Sequence, residues 1–279
     1  SPGGRLDARL QRRVQRYGWD RAADFYEAFW ALQLGPAQDR LLELAALRTG
    51  ESVVDVACGT GLVTFPAAEA VGETGSVLAT DLSGRMVEQL TGDARQRRLR
   101  QVDVRRMGAE ALDLPDESFD AALCALGLMY VPGPVDAVRE MRRVTRPGGR
   151  VVAAVWGRRE ACGWAEIFPI VDARVATEVC PMFFNLGNGD GMALTFEMAG
   201  LGEVTSERLS TVLEYESVDD ALGAAFDGGP VAMAYSRFEE DVRQAVHAEY
   251  LESIEAYRHG EGYRIPGEFV VVRGERPAD

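Results

Sequence analysis

Residues Val53-Val54-Asp55-Val56-Ala57-Cys58-Gly59-Thr60-Gly61 restrict the fold more than any other stretch of the chain. A short, β-branched apolar run reads as a strand buried on both faces. Gly59 and Gly61 permit positive φ and let a ligand approach the backbone closely. The residues from Leu62 to Val71 then read as a helix. A strand that empties through a bare turn into a helix N-terminus creates an electropositive concavity.

The same alternation continues downstream. Strands are expected at 53–57, 76–80, 102–107, 119–125 and 151–156, with helices at 62–71, 83–98 and 135–144 between them. Ser83 suits the cap of the second helix, and Pro147-Gly148-Gly149 suits the stop of the third. Strands alternating with helices predict a doubly wound, mostly parallel sheet. In such sheets ligands lie beyond the carboxyl ends of the strands, so the turns after residues 57, 81, 107 and 125 should share one crevice. Upstream, Leu6 to Tyr17, Ala22 to Trp30 and Leu41 to Leu47 read as separate helices, broken at Gly18, Gly35-Pro36 and Gly50. Downstream, 204–215 and 268–273 read as strands, with helical stretches at 217–226 and 237–257; residues 161–202 show no clear period. The boundaries expected are 1–50 for an N-terminal helical cap, 51–157 for an α/β core and 158–279 for insertions and strands that complete the same domain.

Two carboxylates decide what the crevice favours. A dinucleotide turn wants a third glycine where this chain has Thr64. Asp55, four residues before Gly59, would repel a pyrophosphate and suit a ligand carrying an ammonium or sulfonium. Asp81, at the end of the second strand, is placed to accept both hydroxyls of a ribose. A ribose with positive charge and no phosphate describes S-adenosylmethionine better than a nicotinamide dinucleotide.

Composition removes other classes. All 30 basic residues are arginine, which excludes a Schiff-base lysine and a P-loop lysine. The formal net charge of -14 disfavours a nucleic-acid partner. His247 and His259, the 2 histidines, lack metal-site or triad spacing and read as surface helix residues; no metal is expected. No apolar run is long enough to span a membrane, and Ser1 to Arg5 has no leader-like apolar stretch. Cys58, Cys124, Cys162 and Cys180 show no C-x-x-C pair, so free thiols in a reducing cytoplasmic setting are expected. The five arginines from Arg5 to Arg16 read as a solvated face.

Five ordered segments resemble the class I S-adenosylmethionine-dependent methyltransferases, and within them the branch of ubiquinone and menaquinone biosynthesis. They are Asp55 to Gly61, Ala79 to Ser83, Met107 to Pro115, Ser118 to Asp120 and Arg142 to Arg150. The resemblance implies a Rossmann-like α/β fold with a seven-stranded sheet, N-terminal helices and a helical insertion before the last strand. It implies S-adenosyl-L-methionine as cofactor and a small-molecule acceptor. Asp55 and the backbone of Gly59 and Gly61 would hold the methionine part, with Ala125 and Leu126 against it, and Ala57 and Thr60 would also bind the cofactor. Asp81 would take the ribose, Leu82 and Met86 would pack near the adenine, and Ala109 would offer it a backbone N–H. Where many relatives have an aspartate for the adenine amino group, this chain has Gly108; either Glu110 takes that contact or it is missing.

Methyl transfer from a sulfonium is an in-line displacement in which the protein mainly orients the nucleophile. Relatives often carry histidine after the fourth strand, but Leu128-Met129-Tyr130-Val131 offers no imidazole base. Tyr17, Trp19, Tyr26, Met129 and Tyr130 are the candidate acceptor contacts, with Phe25 and Trp30 as further aromatic walls. The expected acceptor is small, apolar or aromatic, with a nucleophile that is acidic or needs little help. Two other classes fit the same motifs less closely: a cofactor-binding protein of this fold that transfers no methyl group, and a nicotinamide-dependent oxidoreductase.

Overall fold

A computed structural model describes residues 8–176, 179 and 182–278; in the first part of the chain the described side chains are Arg12, Gln15, Arg16, Asp20 and those from Phe29 onward. Eight strands form one sheet in the order β3-β2-β1-β4-β5-β8-β6. The parallel part comprises β1 (Ser52–Val56), β2 (Ser76–Asp81), β3 (Val102–Arg106), β4 (Phe119–Ala125) and β5 (Thr145–Trp156). The long strands β8 (Gly262–Glu275) and β6 (Gly202–Tyr215) add to it antiparallel, and the two-residue β7 (Arg258–His259) pairs with the start of β8. Five parallel strands arise where the helix–strand alternation places them. They interleave with α2 (Thr64–Val71), α3 (Gly84–Gln96) and α4 (Pro134–Val144).

The central strands are buried on both faces: Val53, Val54, Ala121, Leu123 and Val151 to Val155 are all inaccessible to solvent. The two ends of the sheet differ. Charged Asp103, Arg105 and Arg106 sit on β3, as suits an edge strand that must not pair further. β6 alternates exposed and half-buried residues along the other edge. The chain runs outward through β1, β2 and β3 and then returns to β4 beside β1. The β1/β4 boundary is therefore the switch point, and a crevice opens beyond their carboxyl ends.

The three separate N-terminal helices are not found. One 38-residue helix, α1 (Ala8–Ala45), runs through Gly18 and Gly35 with Pro36 inside it. Glycine costs a helix interior about 1 kcal/mol and proline about 3. Against that, Trp30, Leu34, Ala37, Leu41 and Ala45 form one buried stripe, and burying a large apolar side chain contributes roughly 1.5–3 kcal/mol. Tertiary packing thus outweighs the local breakers. Nor does Pro147-Gly148-Gly149 delay the fifth strand, which begins at Thr145 directly after α4. Gly149 is packed so closely on Asp120 that a Cβ would lie 2.6 Å from its carbonyl.

Beyond β5 the chain builds short helices α5 (Ile167–Asp172), α6 (Gly191–Met198), α7 (Val218–Leu222), α8 (Ala232–Ser236) and the longer α9 (Glu240–Ser253). A π-helical segment, Gly223–Asp227, follows α7; the Trp30 indole donates to its Ala224 carbonyl at 3.0 Å. His247 is not a free surface residue. It is half-buried on α9 with Nε2 2.8 Å from the Tyr235 hydroxyl, and burial lowers its pKa. His259 is exposed on β7 rather than in a helix. Among the described residues, no helix is long and apolar enough to cross a membrane.

Candidate functional site

A cavity of about 580 Å³ opens at the switch point. The turns after β1, β2, β3 and β4 all contribute to its wall, as expected. Of the thirteen residues marked out for the cofactor, Asp55, Ala57, Gly59, Asp81, Leu82, Met86, Gly108, Ala109, Glu110, Ala125 and Leu126 border it. Thr60 and Gly61 do not. Thr60 is buried, and Gly61, at φ +96°, lies so close to α3 that a Cβ would sit 2.5 Å from Leu90 Cδ1. Gly61 therefore serves the packing of the turn rather than the cavity.

The carboxylates are held in different ways. Asp55 is 1% exposed, and the Thr64 hydroxyl donates to its Oδ2 at 2.6 Å. Thr64 stands where a dinucleotide turn would have its third glycine, so that departure supplies the carboxylate with its donor. Burial, with Asp81 adding to it, pushes the Asp55 pKa up to about 7 against the Thr64 hydrogen bond. Asp81 accepts the Gly59 N–H on Oδ2 and the Ser83 N–H on Oδ1, both at 2.9 Å. Each oxygen retains a lone pair for a further donor. Burial also raises the Asp81 pKa, opposed by those N–H groups. Ser83 caps α3 by accepting the Met86 N–H at 3.2 Å, as its position in the sequence suggests.

The backbone is strained on both sides of the switch point. Ala57 (φ 56°) and Leu126 (φ 60°), each just past the end of its strand, are left-handed without being glycine. Such conformations cost of order 1 kcal/mol or more and concentrate at functional sites. Gly127 lets the two turns approach: a Cβ there would lie 2.6 Å from that of Ala57. The thiols supply no nucleophile. Burial pushes Cys58 well up and Cys124 to about 12, so both stay protonated. Cys162 is raised to about 11 by burial, and Cys180 lies outside the described residues. Among the described residues, no group of three or more His, Cys, Asp or Glu side chains is placed to hold a metal ion.

Helix α1 closes the other side through residues that no sequence motif marks. Gln15 and Gln38 border the cavity as buried amides, and Arg12 reaches Glu110 with Nε and Nη2 at 2.7 and 2.8 Å. Both Glu110 oxygens are thereby engaged, and Arg12 belongs to an ion pair rather than to a purely solvated face. Asp20 accepts the Ser83 hydroxyl at 2.5 Å, a second tie between α1 and the site. These residues lie up to 98 positions from their partners; only the tertiary path of α1 brings them in. Met107, the first residue of one motif, is also on the wall, with Val63 and Asp136, which no motif includes.

Of the acceptor candidates, Tyr130 borders the cavity. Met129 is 4% exposed and turns instead to a second, smaller cavity beside it. The side chains of Tyr17, Trp19, Phe25 and Tyr26 lie outside the described residues. Asp120 accepts the Ser52 N–H at 2.8 Å and pairs with Arg146, a backbone role like the one expected of it.

Comparison with known proteins places this site among methyltransferases. Residues 54–153 match the family described as "Methyltransferase domain". The chain is 31% identical over 193 residues to the demethylmenaquinone methyltransferase of Lysinibacillus sphaericus, a match covering 64% of this chain and 81% of that one. It is 29% identical to the nocamycin O-methyltransferase of Saccharothrix syringae, over 87% of this chain and 91% of that one. Other curated relatives match over less of their length, 66% for one and 56% for another. In fold, the chain resembles Haemonchus contortus phosphoethanolamine N-methyltransferase 2, solved in complex with S-adenosyl-L-methionine. The TM-score is 0.63 at 14% identity, over 99% of this chain and 61% of that one.

Proposed function

The chain belongs to the class I S-adenosylmethionine-dependent methyltransferases, and we propose that it methylates a small, planar, largely apolar acceptor by in-line transfer. Its cofactor is S-adenosylmethionine, which supplies an already activated sulfonium methyl group. The residues present fit that group. A buried carboxylate, Asp55, and a half-buried one, Asp81, flank a bare glycine turn, and Arg12, the one basic side chain on the described wall, is paired with Glu110. That arrangement is the observation carrying the proposal, because it favours a cation and a ribose and offers no counter-charge to a phosphate.

In this reading Asp55 takes the ammonium of the methionine portion and Asp81 the ribose hydroxyls. Gly59 and the left-handed Ala57 and Leu126 present backbone to it. Leu82 and Met86 flank the adenine, and the Ala109 N–H meets a ring nitrogen. Of the two alternatives at the adenine amino group we choose Glu110, which borders the cavity and keeps a lone pair on each oxygen beside its bonds to Arg12. Residues 51–157 thus hold the cofactor, α1 closes over it through Arg12, Gln15 and Gln38, and residues 158–279 shape the acceptor side. No imidazole and no thiolate reaches the cavity among the described residues. The chain's contribution is therefore orientation and exclusion of water, with Tyr130 as the described hydroxyl on the wall. An acceptor whose nucleophile ionises readily needs no more than that.

Calorimetry with S-adenosylmethionine, S-adenosylhomocysteine and NADH tests the site. The two sulfur nucleosides should bind and NADH should not; tight NADH binding with no heat from the others would sink the proposal. Appearance of S-adenosylhomocysteine with a trial acceptor tests transfer.

A further inference from the structure

The second cavity, about 20 Å³, shares Leu126 and Tyr130 with the large one. Its wall includes Trp30, Trp156 and Trp164, whose rings meet edge to face at centroid distances of 5.8, 5.6 and 4.9 Å. Such packing leaves few places for a polar atom. The Trp30 N–H is taken by the Ala224 carbonyl. Trp164 is 4% exposed, and its Nε1 is fully buried with no hydrogen-bond partner among the described residues. A buried donor left unpaired is costly and rare in native proteins, and it calls for a partner. The niche has room for about one water-sized group, which is one oxygen and not a ring.

We propose that this niche is an oxygen-anchoring subsite for the acceptor, in which the Trp164 N–H donates to a hydroxyl or carbonyl oxygen projecting from a planar ring held in the large cavity. The inference rests on the methyltransferase reading of that cavity and adds a substrate class to it. The anchored oxygen is not the atom methylated, because a niche sized for one oxygen leaves no space for an added methyl. The acceptor therefore carries two functional groups: the nucleophile, facing the cofactor, and an anchor oxygen on the side facing Leu126 and Tyr130.

The test uses 15N-labelled protein saturated with S-adenosylhomocysteine and two probes of equal shape, 2-naphthol and 2-methylnaphthalene. The Trp164 indole N–H resonance of the unsubstituted protein should move with 2-naphthol and stay in place with 2-methylnaphthalene. Trp164→Phe, which keeps an aromatic ring and removes the donor, should weaken 2-naphthol roughly three- to ten-fold, the loss of one neutral hydrogen bond. It should leave 2-methylnaphthalene and S-adenosylhomocysteine binding unchanged. A resonance moved by neither probe, or by both alike, overturns the subsite, as does a Trp164→Phe variant that weakens both probes equally. In those cases intact S-adenosylhomocysteine binding leaves the cofactor reading standing. No S-adenosylhomocysteine binding by the unsubstituted protein removes both.

Discussion

Asp55 carries a charge that the folded chain solvates poorly. Its pKa of about 7, raised by burial, means that near neutrality the carboxyl must lose a proton before it can hold an ammonium. S-adenosylhomocysteine affinity should therefore be flat above about pH 7 and fall about ten-fold per pH unit below it, as calorimetry across pH 5–8 would read. A flat profile would mean that Asp55 does not meet the ligand's cation. Stability moves in the opposite sense. A carboxyl whose pKa is higher folded than unfolded contributes fully below the ordinary value of 3.8, and that contribution is lost as pH rises through about 7. Asp55→Asn removes the ionisation. It should raise the melting temperature of the ligand-free protein by several degrees at pH 8, with a smaller gain at pH 5, while weakening S-adenosylhomocysteine about 100-fold. Asp55 and Asp81 were legible in the sequence because each lies inside a local motif. Gln38 and Arg12 were not, because nothing within their own helix marks which residues will face a cavity built by strands far along the chain. Thr60 and Gly61 show the converse: membership in the motif does not place a residue on the cavity wall.

Strands were the more legible elements, since the buried centre of a parallel strand is an apolar run visible locally: β4 falls at Phe119–Ala125 as read, whereas β5 starts six residues before its apolar run at Val151. Helix α1 was misread as three pieces because Gly18 and Pro36 are local signals, whereas the stripe that overrides Pro36 gains its energy from packing on β5, β8, α8 and the π-helical segment. The irregular 161–202 stretch was opaque for a related reason. Its order comes from rings packing on rings, Trp164 with Phe168 and Phe183 among them, which has no sequence period. The start of α1 is tied to the site by the Arg12–Glu110 pair, with Arg12 42% exposed. Exposed pairs contribute at most about 1 kcal/mol. Arg12→Ala should therefore shift the melting temperature by no more than about 4 °C. If the pair holds α1 across the adenine end, the same change should speed S-adenosylhomocysteine dissociation roughly three- to ten-fold in a stopped-flow displacement; an unchanged rate would count against such a clasp. The turn between β1 and α2 makes a sharper demand. Gly61→Ala introduces a Cβ at positive φ against Leu90 and should cost roughly 2–3 kcal/mol, read in urea unfolding.

For the whole molecule, the question is what joins the parallel half to the antiparallel half. β8 pairs with Arg150 to Trp156 of β5 and carries β6 on its other edge, so the backbone ladder is continuous. Glu268 on β8 adds a polar joint at the same seam. It is 5% exposed and accepts the Arg158 N–H at 3.0 Å, the Arg158 guanidinium at 3.3 and 3.2 Å, and Arg208 Nη1 at 2.8 Å. Arg208, on β6, also donates to the carbonyls of Gly187 and Gly189, so one carboxylate gathers β8, the segment after β5, the edge strand and the irregular stretch. Burial works against its charge, but those donors outweigh it and hold the Glu268 pKa below the ordinary 4.5. A carboxyl lowered in this way contributes stability above about pH 4.5 and loses it as pH falls through its folded value. Glu268→Gln keeps the shape and removes the charge. Because both arginines are partly exposed, the cost at pH 7 should be about 1–2 kcal/mol, a drop of roughly 2–8 °C in melting temperature, and it should shrink as the pH falls below the ordinary carboxyl value. Glu268 is not on the wall of the large cavity, so S-adenosylhomocysteine affinity should be unchanged. The continuous ladder further requires that the variant still melt in one transition; two separated transitions would mean that this carboxylate, and not the β5–β8 pairing, makes the two halves one cooperative unit.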